Sequence, residues 1–127
     1  MAHIGLRPQN IHVEGGYRLQ RDIERLVADA KAAEAAGAFT VLIECVPSEA
    51  AAAITDAVKV PTIGIGAGRD VSGQVLVTHD ILGLTSGYTP KFTRLFADVG
   101  NTIREAAKSY CDEVKAVSFP SDAESFE

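Results

Sequence analysis

The sequence predicts an α/β fold of about four parallel strands joined by crossover helices, in one domain spanning residues 1–127. Two observations carry this expectation. Apolar, β-branched runs without polar alternation recur along the chain, and stripes of helical period separate them. Such alternation means a parallel sheet with helical crossovers. A chain of 127 residues holds one domain with a core and is too short for two ordinary ones.

Ala2 to Leu6 reads as the first strand, closed by Arg7-Pro8-Gln9, because a residue before proline favours extended geometry. Residues 10–20 read as a loop around Gly15-Gly16. Asp22 is placed to cap a helix in which Ile23, Leu26, Val27, Ala30 and Ala33 share one face, and Gly37 terminates it. Phe39 to Glu44 is the second strand. Ser48 is expected to cap an alanine-rich helix running to about Val58. Val60-Pro61 then opens a third strand, Thr62 to Ile65, which runs into Gly66-Ala67-Gly68.

Gln74 to Val77 resembles a strand by composition, yet only about eight residues separate it from Ile65, and a parallel crossover needs a dozen or more. Residues 73–82 are therefore expected as a crossover helix, capped by Ser72 and ended by Gly83, before a very short strand near Leu84. From Lys91 to about Val117 a helix interrupted near Gly100 is expected, followed by a polar tail, 118–127, over the surface. Four strand–helix units make half of an eight-stranded barrel, whose usual length is about 250 residues. Half a barrel leaves two unpaired sheet edges and one open side.

Composition removes several functions. The net charge is −5 without a cluster of Lys and Arg, so nucleic acid and anionic membrane are poor partners. No apolar run approaches the roughly 20 residues needed to span a bilayer. The N-terminus lacks the pattern of a signal peptide. Cys45 and Cys111 lack metal-ligand spacing and read as reduced thiols of a cytoplasmic protein. Cys45 is discounted as a nucleophile, because the adjacent Glu44 carboxylate raises a thiol pKa.

Glu44 is the sharpest chemical candidate. Functional side chains of parallel α/β sheets collect at the C-terminal strand ends, and a charge there requires a reason. The plain alternative places Glu44 one residue past the strand, facing water. Gly64 to Gly68 makes a glycine-rich turn after a strand, suited either to an anion or to close packing alone. It lacks the spacing of a dinucleotide fingerprint. His3 starts the first strand, His12 lies in the loop, and His79-Asp80 follows the ambiguous segment. None of them forms a metal constellation by spacing.

Taken in order, the motifs resemble one family. They are His3 to Gln9, Gly15-Gly16-Tyr17, Glu34 to Ala38, Glu44-Cys45-Val46-Pro47, Ile63 to Gly68, Gly73 to Val77 with His79-Asp80, Pro90-Lys91-Phe92 and Ser118-Phe119-Pro120. The family is ketopantoate hydroxymethyltransferase, and the likeness is to its C-terminal half. The resemblance implies a TIM (β/α)8 barrel that assembles as a cytoplasmic homo-oligomer, a homodecamer in family members. It also implies transfer of a one-carbon unit from 5,10-methylenetetrahydrofolate to 2-oxoisovalerate, giving ketopantoate for pantothenate biosynthesis, with Mg2+ chelated by the 2-oxo acid. Glu44 matches the family's general base, and His3 matches a histidine at the mouth of the same pocket.

Three departures qualify what the resemblance implies. The family's magnesium-binding acids and its substrate-binding serine and lysine belong to the N-terminal half, so no residue of this chain inherits those roles. The loop after Tyr17 is also shorter than the family's, and Glu124 stands where the family commonly has histidine. The leading expectation is a half-barrel that carries the base, lacks the metal site and needs a complementary N-terminal half. The alternative is a non-catalytic half-barrel remnant or an oligomerisation module.

Overall fold

The computed structural model describes residues 1–126 and, of Glu14, the backbone only. Glu127, the last residue of the expected tail, lies outside the described residues. The chain divides into two compact units, Met1–Leu76 and Val77–Glu127.

The first unit is built on a four-stranded, fully parallel sheet: β1 Ala2–Gly5, β2 Val41–Glu44, β3 Thr62–Ile65 and β4 Gly73–Gln74, in that spatial order. Register places His3 beside Leu42 and Ile63, and Gly5 beside Glu44 and Ile65. Side chains alternate across a strand. Ile4, Val41, Ile43 and Thr62 therefore point to one face and are buried, while His3, Leu42, Glu44, Ile63 and Ile65 occupy the other and are half-buried.

Two helices cover the buried face: α2, Ile23–Ala35, and α3, Ser48–Ala57, which pack on each other. A short helical turn, α1 Ile11–Glu14, precedes them within the expected loop and ends at Gly15 in the left-handed region. Leu26 and Ala30 of α2, with Ala50, Ala51 and Ile54 of α3, meet Ile4, Val41 and Ile43 in a single core. Full burial of each large aliphatic side chain contributes roughly 1.5–3 kcal/mol. Asp22 caps α2 as the spacing predicts, its carboxylate accepting from the Arg25 N–H at 3.1 Å.

Several boundaries differ from the sequence expectation. Phe39 is exposed rather than part of the strand. Ser48 is the first residue of α3 and not its cap; Pro47 takes the cap position, and its carbonyl accepts from Ala50 and Ala51. The expected crossover helix at 73–82 is replaced by β4 at Gly73–Gln74 and a shorter helix, α4 Thr78–Leu82. The loop 66–72 reaches β4 without a helix because β4 is short and hydroxyls tie it down. The Ser72 N–H donates to Thr62 Oγ1 at 3.1 Å, the Thr62 N–H donates to Ser72 Oγ at 3.1 Å, and Thr55 Oγ1 lies 2.9 Å from Thr62 Oγ1. The dozen-residue minimum holds for a crossover that carries a helix, and this one does not.

Within the second unit no strand forms near Leu84 among the described residues. The helix expected from Lys91 is confined to α5, Val99–Lys115, capped by Asp98. Gly100 does not interrupt it. A Cβ there would stand 2.2 Å from the Gly83 carbonyl oxygen, so glycine lets the start of α5 rest on the end of α4. Beyond α5, residues 118–126 are exposed, with a 3-10 turn at Asp122–Glu124. The Ser121 N–H and hydroxyl both donate to Glu124, and these hydrogen bonds hold its carboxyl below the usual carboxylate range.

Candidate active site

Glu44 is the last residue of β2, a strand with neighbours on both sides, and its side chain stands on the sheet face opposite α2 and α3. That face also carries His3, one alternation back along the neighbouring strand. Glu44 Oε2 lies 3.1 Å from His3 Nε2, with the two side chains 16% and 26% exposed. The contact is close but poorly directed. His3 Nε2 is shielded from solvent and makes no hydrogen bond among the described residues, so one polar valence of the imidazole is unsatisfied by them, a costly state for a buried nitrogen.

The backbone at Glu44 is held from several sides. The Leu6 N–H, just past β1, donates to the Glu44 carbonyl at 2.8 Å. The Cys45 N–H donates to the Ile65 carbonyl at 3.0 Å, and the Cys45 carbonyl accepts from the Gln20 N–H at 3.0 Å. Cys45 itself adopts a left-handed backbone, φ 50°. Its half-buried thiol is pushed up, first by burial and then by the Glu44 charge, so it is not disposed to act as a thiolate.

A cleft of about 260 Å3 opens at the free edge of β1, lined by His3, Gly5, Arg7, Gln20, Arg25 and Asp29 among others. It shares His3 with the pair, while Glu44 stands outside its lining. His12 on α1 and His79 on α4 are exposed. The glycine turn is filled by protein: a Cβ on Gly68 would stand 2.6 Å from Ser48 Cβ, so that glycine serves the approach of α3.

The donor set does not fit magnesium. Magnesium favours six oxygens in octahedral array, whereas one carboxylate and one imidazole nitrogen meet here. Among the described residues no group of three His, Cys, Asp or Glu side chains is placed to hold a metal. The sequence missed the left-handed turn at Cys45 and the anchoring of Glu44 by Leu6 and Gln20. Proline two residues after Cys45 was the one local sign that the strand must stop there.

An open sheet of four parallel strands with helices on one face and a carboxylate at a C-terminal strand end is consistent with half of a β/α barrel. A family model described as ketopantoate hydroxymethyltransferase matches residues 1–122, and the chain belongs to that family. A 3-methyl-2-oxobutanoate hydroxymethyltransferase of Rhodopirellula baltica is 99% identical over 100% of this chain, which covers 47% of that protein. Enzymes of the same description from Pelobacter propionicus and Geotalea daltonii are 50% and 52% identical over 99% of the chain, which covers 48% and 49% of them. The chain thus spans about half the length of the curated relatives it matches.

Proposed function

We propose that the chain forms the C-terminal half of a (β/α)8 hydroxymethyltransferase barrel and supplies its general base, Glu44. The observation that carries this reading is a largely buried carboxylate at the C-terminal end of β2, 3.1 Å from His3 Nε2 on the sheet face opposite α2 and α3. In this reading Glu44 removes the proton from C3 of 2-oxoisovalerate. The C3 electron pair forms the new carbon–carbon bond to the methylene carbon of 5,10-methylenetetrahydrofolate, whose two C–N bonds break in the course of the reaction. Water supplies the hydroxyl, and its second proton and the one taken by Glu44 pass to the two folate nitrogens, so that ketopantoate and tetrahydrofolate leave.

His3 stands beside Glu44, its Nε2 3.1 Å from Oε2, and in this reading turns that nitrogen to the bound 2-oxo acid. A base fixed by its backbone loses little freedom on reaching the transition state, which favours reaction. Magnesium would be held by residues outside this chain and by the substrate. The half-barrel works with a complementary N-terminal half, in a cytoplasmic homo-oligomer. No helix among the described residues is long and apolar enough to cross a membrane.

The test completes the chain with the N-terminal half of the family fold and measures ketopantoate formation with and without Glu44→Gln. General-base catalysis contributes about 10²–10⁴-fold, so a loss in that range supports the assignment. Undiminished activity removes Glu44 from the mechanism. A completed chain without any activity supports the non-catalytic alternative instead.

A further inference from the structure

We propose that Cys45 is a positioning residue for Glu44, acting through its left-handed backbone and not through its thiol. The proposal rests on the reading of Glu44 as the base. A regular strand sends residues 43 and 45 to one face and 44 and 46 to the other. The observed arrangement breaks this parity: Ile43 and Val46 are both buried in the core beneath α2 and α3, while Glu44 remains on the opposite face. The inversion occurs at Cys45, φ 50°. Glu44 is therefore the last side chain delivered to the site face before the strand turns back toward its own core.

A non-glycine residue in this region is strained and persists only when its surroundings determine it. Here they do. The Cys45 N–H and carbonyl are engaged by Ile65 and Gln20, and the preceding carbonyl by Leu6, so segments from β1, the loop before α2 and β3 meet on one dipeptide. The side chain contributes no charge to the arrangement, since burial keeps the thiol protonated. Extended geometry at residue 45 would leave Val46 and Glu44 competing for the same face.

The experiment compares Cys45→Gly and Cys45→Asn, which accept a left-handed backbone, with Cys45→Val, whose β-branch opposes it. Two quantities are read: kcat and KM of the completed enzyme, and the nuclear Overhauser contact between the His3 ring and the Glu44 side chain in the folded chain. The Gly and Asn variants are expected to keep kcat within about threefold and to keep the contact. Cys45→Val is expected to lower kcat tenfold or more at nearly constant KM and to lose the contact, since ~1 Å of misplacement can cost about 100-fold. Should Cys45→Val not fold, Cys45→Thr takes its place, since its β-branch opposes the same conformation and the same loss is expected. Full activity and an intact contact in the Val or Thr variant overturn the proposal, as does an equal loss in Gly and Asn, which would assign the effect to the thiol. An inactive parent enzyme sinks the reading of Glu44 as base, while the contact measurement still decides whether residue 45 aims its side chain.

Discussion

A Cβ on Gly5 would stand 2.2 Å from the carbonyl oxygen of Glu44, so β1 and β2 close at their C-terminal ends only because residue 5 lacks a side chain. The same Cβ would stand 2.9 Å from Val46 Cγ1, and Gly5 holds φ 85°. The strand carrying His3 thereby approaches the strand carrying Glu44 closely enough for their side chains to meet.

Gly5→Ala combines a backbone clash with a backbone conformation that alanine resists. Overpacking and left-handed strain together should cost about 2–4 kcal/mol, read as a lower midpoint in urea denaturation. A cost under about 1 kcal/mol would mean that the two strands separate freely, and that their close approach does not define the site.

Glu34, near the end of α2, reaches across to the chain entering β3. Its Oε1 accepts from the backbone N–H of Lys59 at 2.6 Å and of Val60 at 3.0 Å. Glu34→Ala leaves two donors without their acceptor and should destabilise by about 1–3 kcal/mol, whereas Glu34→Gln retains an acceptor oxygen and should cost less than half of that. Equal stability of Glu34→Ala and the parent in chemical denaturation would assign the bonds no structural weight.

The two cysteines should separate by reactivity. Alkylation requires the thiolate, and Cys45 is half-buried with its thiol pushed up, while Cys111 is exposed. Iodoacetamide labelling followed by mass spectrometry should modify Cys111 first between pH 7 and 9, judged against an ordinary thiol pKa of about 8.5. Because the folded-state value of Cys45 is the higher one, its stabilising contribution is complete below the unfolded value and is lost as pH rises through the folded value. Cys45→Ser, whose hydroxyl does not titrate there, should lessen the alkaline loss of stability. Equal labelling rates for the two thiols would contradict the burial of Cys45.

The strand–helix order through Ile65 was legible because each piece carries its own local signal. Ile23, Leu26 and Ala30 repeat at helical spacing, Asp22 precedes them as a cap, and Val41 to Ile43 is continuously apolar. The segment after Ile65 was not legible, because β4 is two residues long and its pairing depends on the hydroxyls of Thr62 and Ser72. Gly100 misled in the same way. A glycine in a helical stretch signals a break by propensity, yet here it removes a clash with Gly83.

By itself the sequence determined the parallel β/α character of the first unit and the presence of an acid where its second strand ends. Only tertiary structure decided that His3 meets this acid, because register between strands whose paired residues lie 39 apart in sequence (Ala2 with Val41) is set by packing and hydrogen bonding across the sheet. It likewise decided that Val46 returns to the core beside Ile43, through a left-handed turn at Cys45, a residue whose type does not announce one. Local preference reaches a few residues along the chain, whereas the direction of a side chain at a strand end is imposed by neighbours distant in sequence.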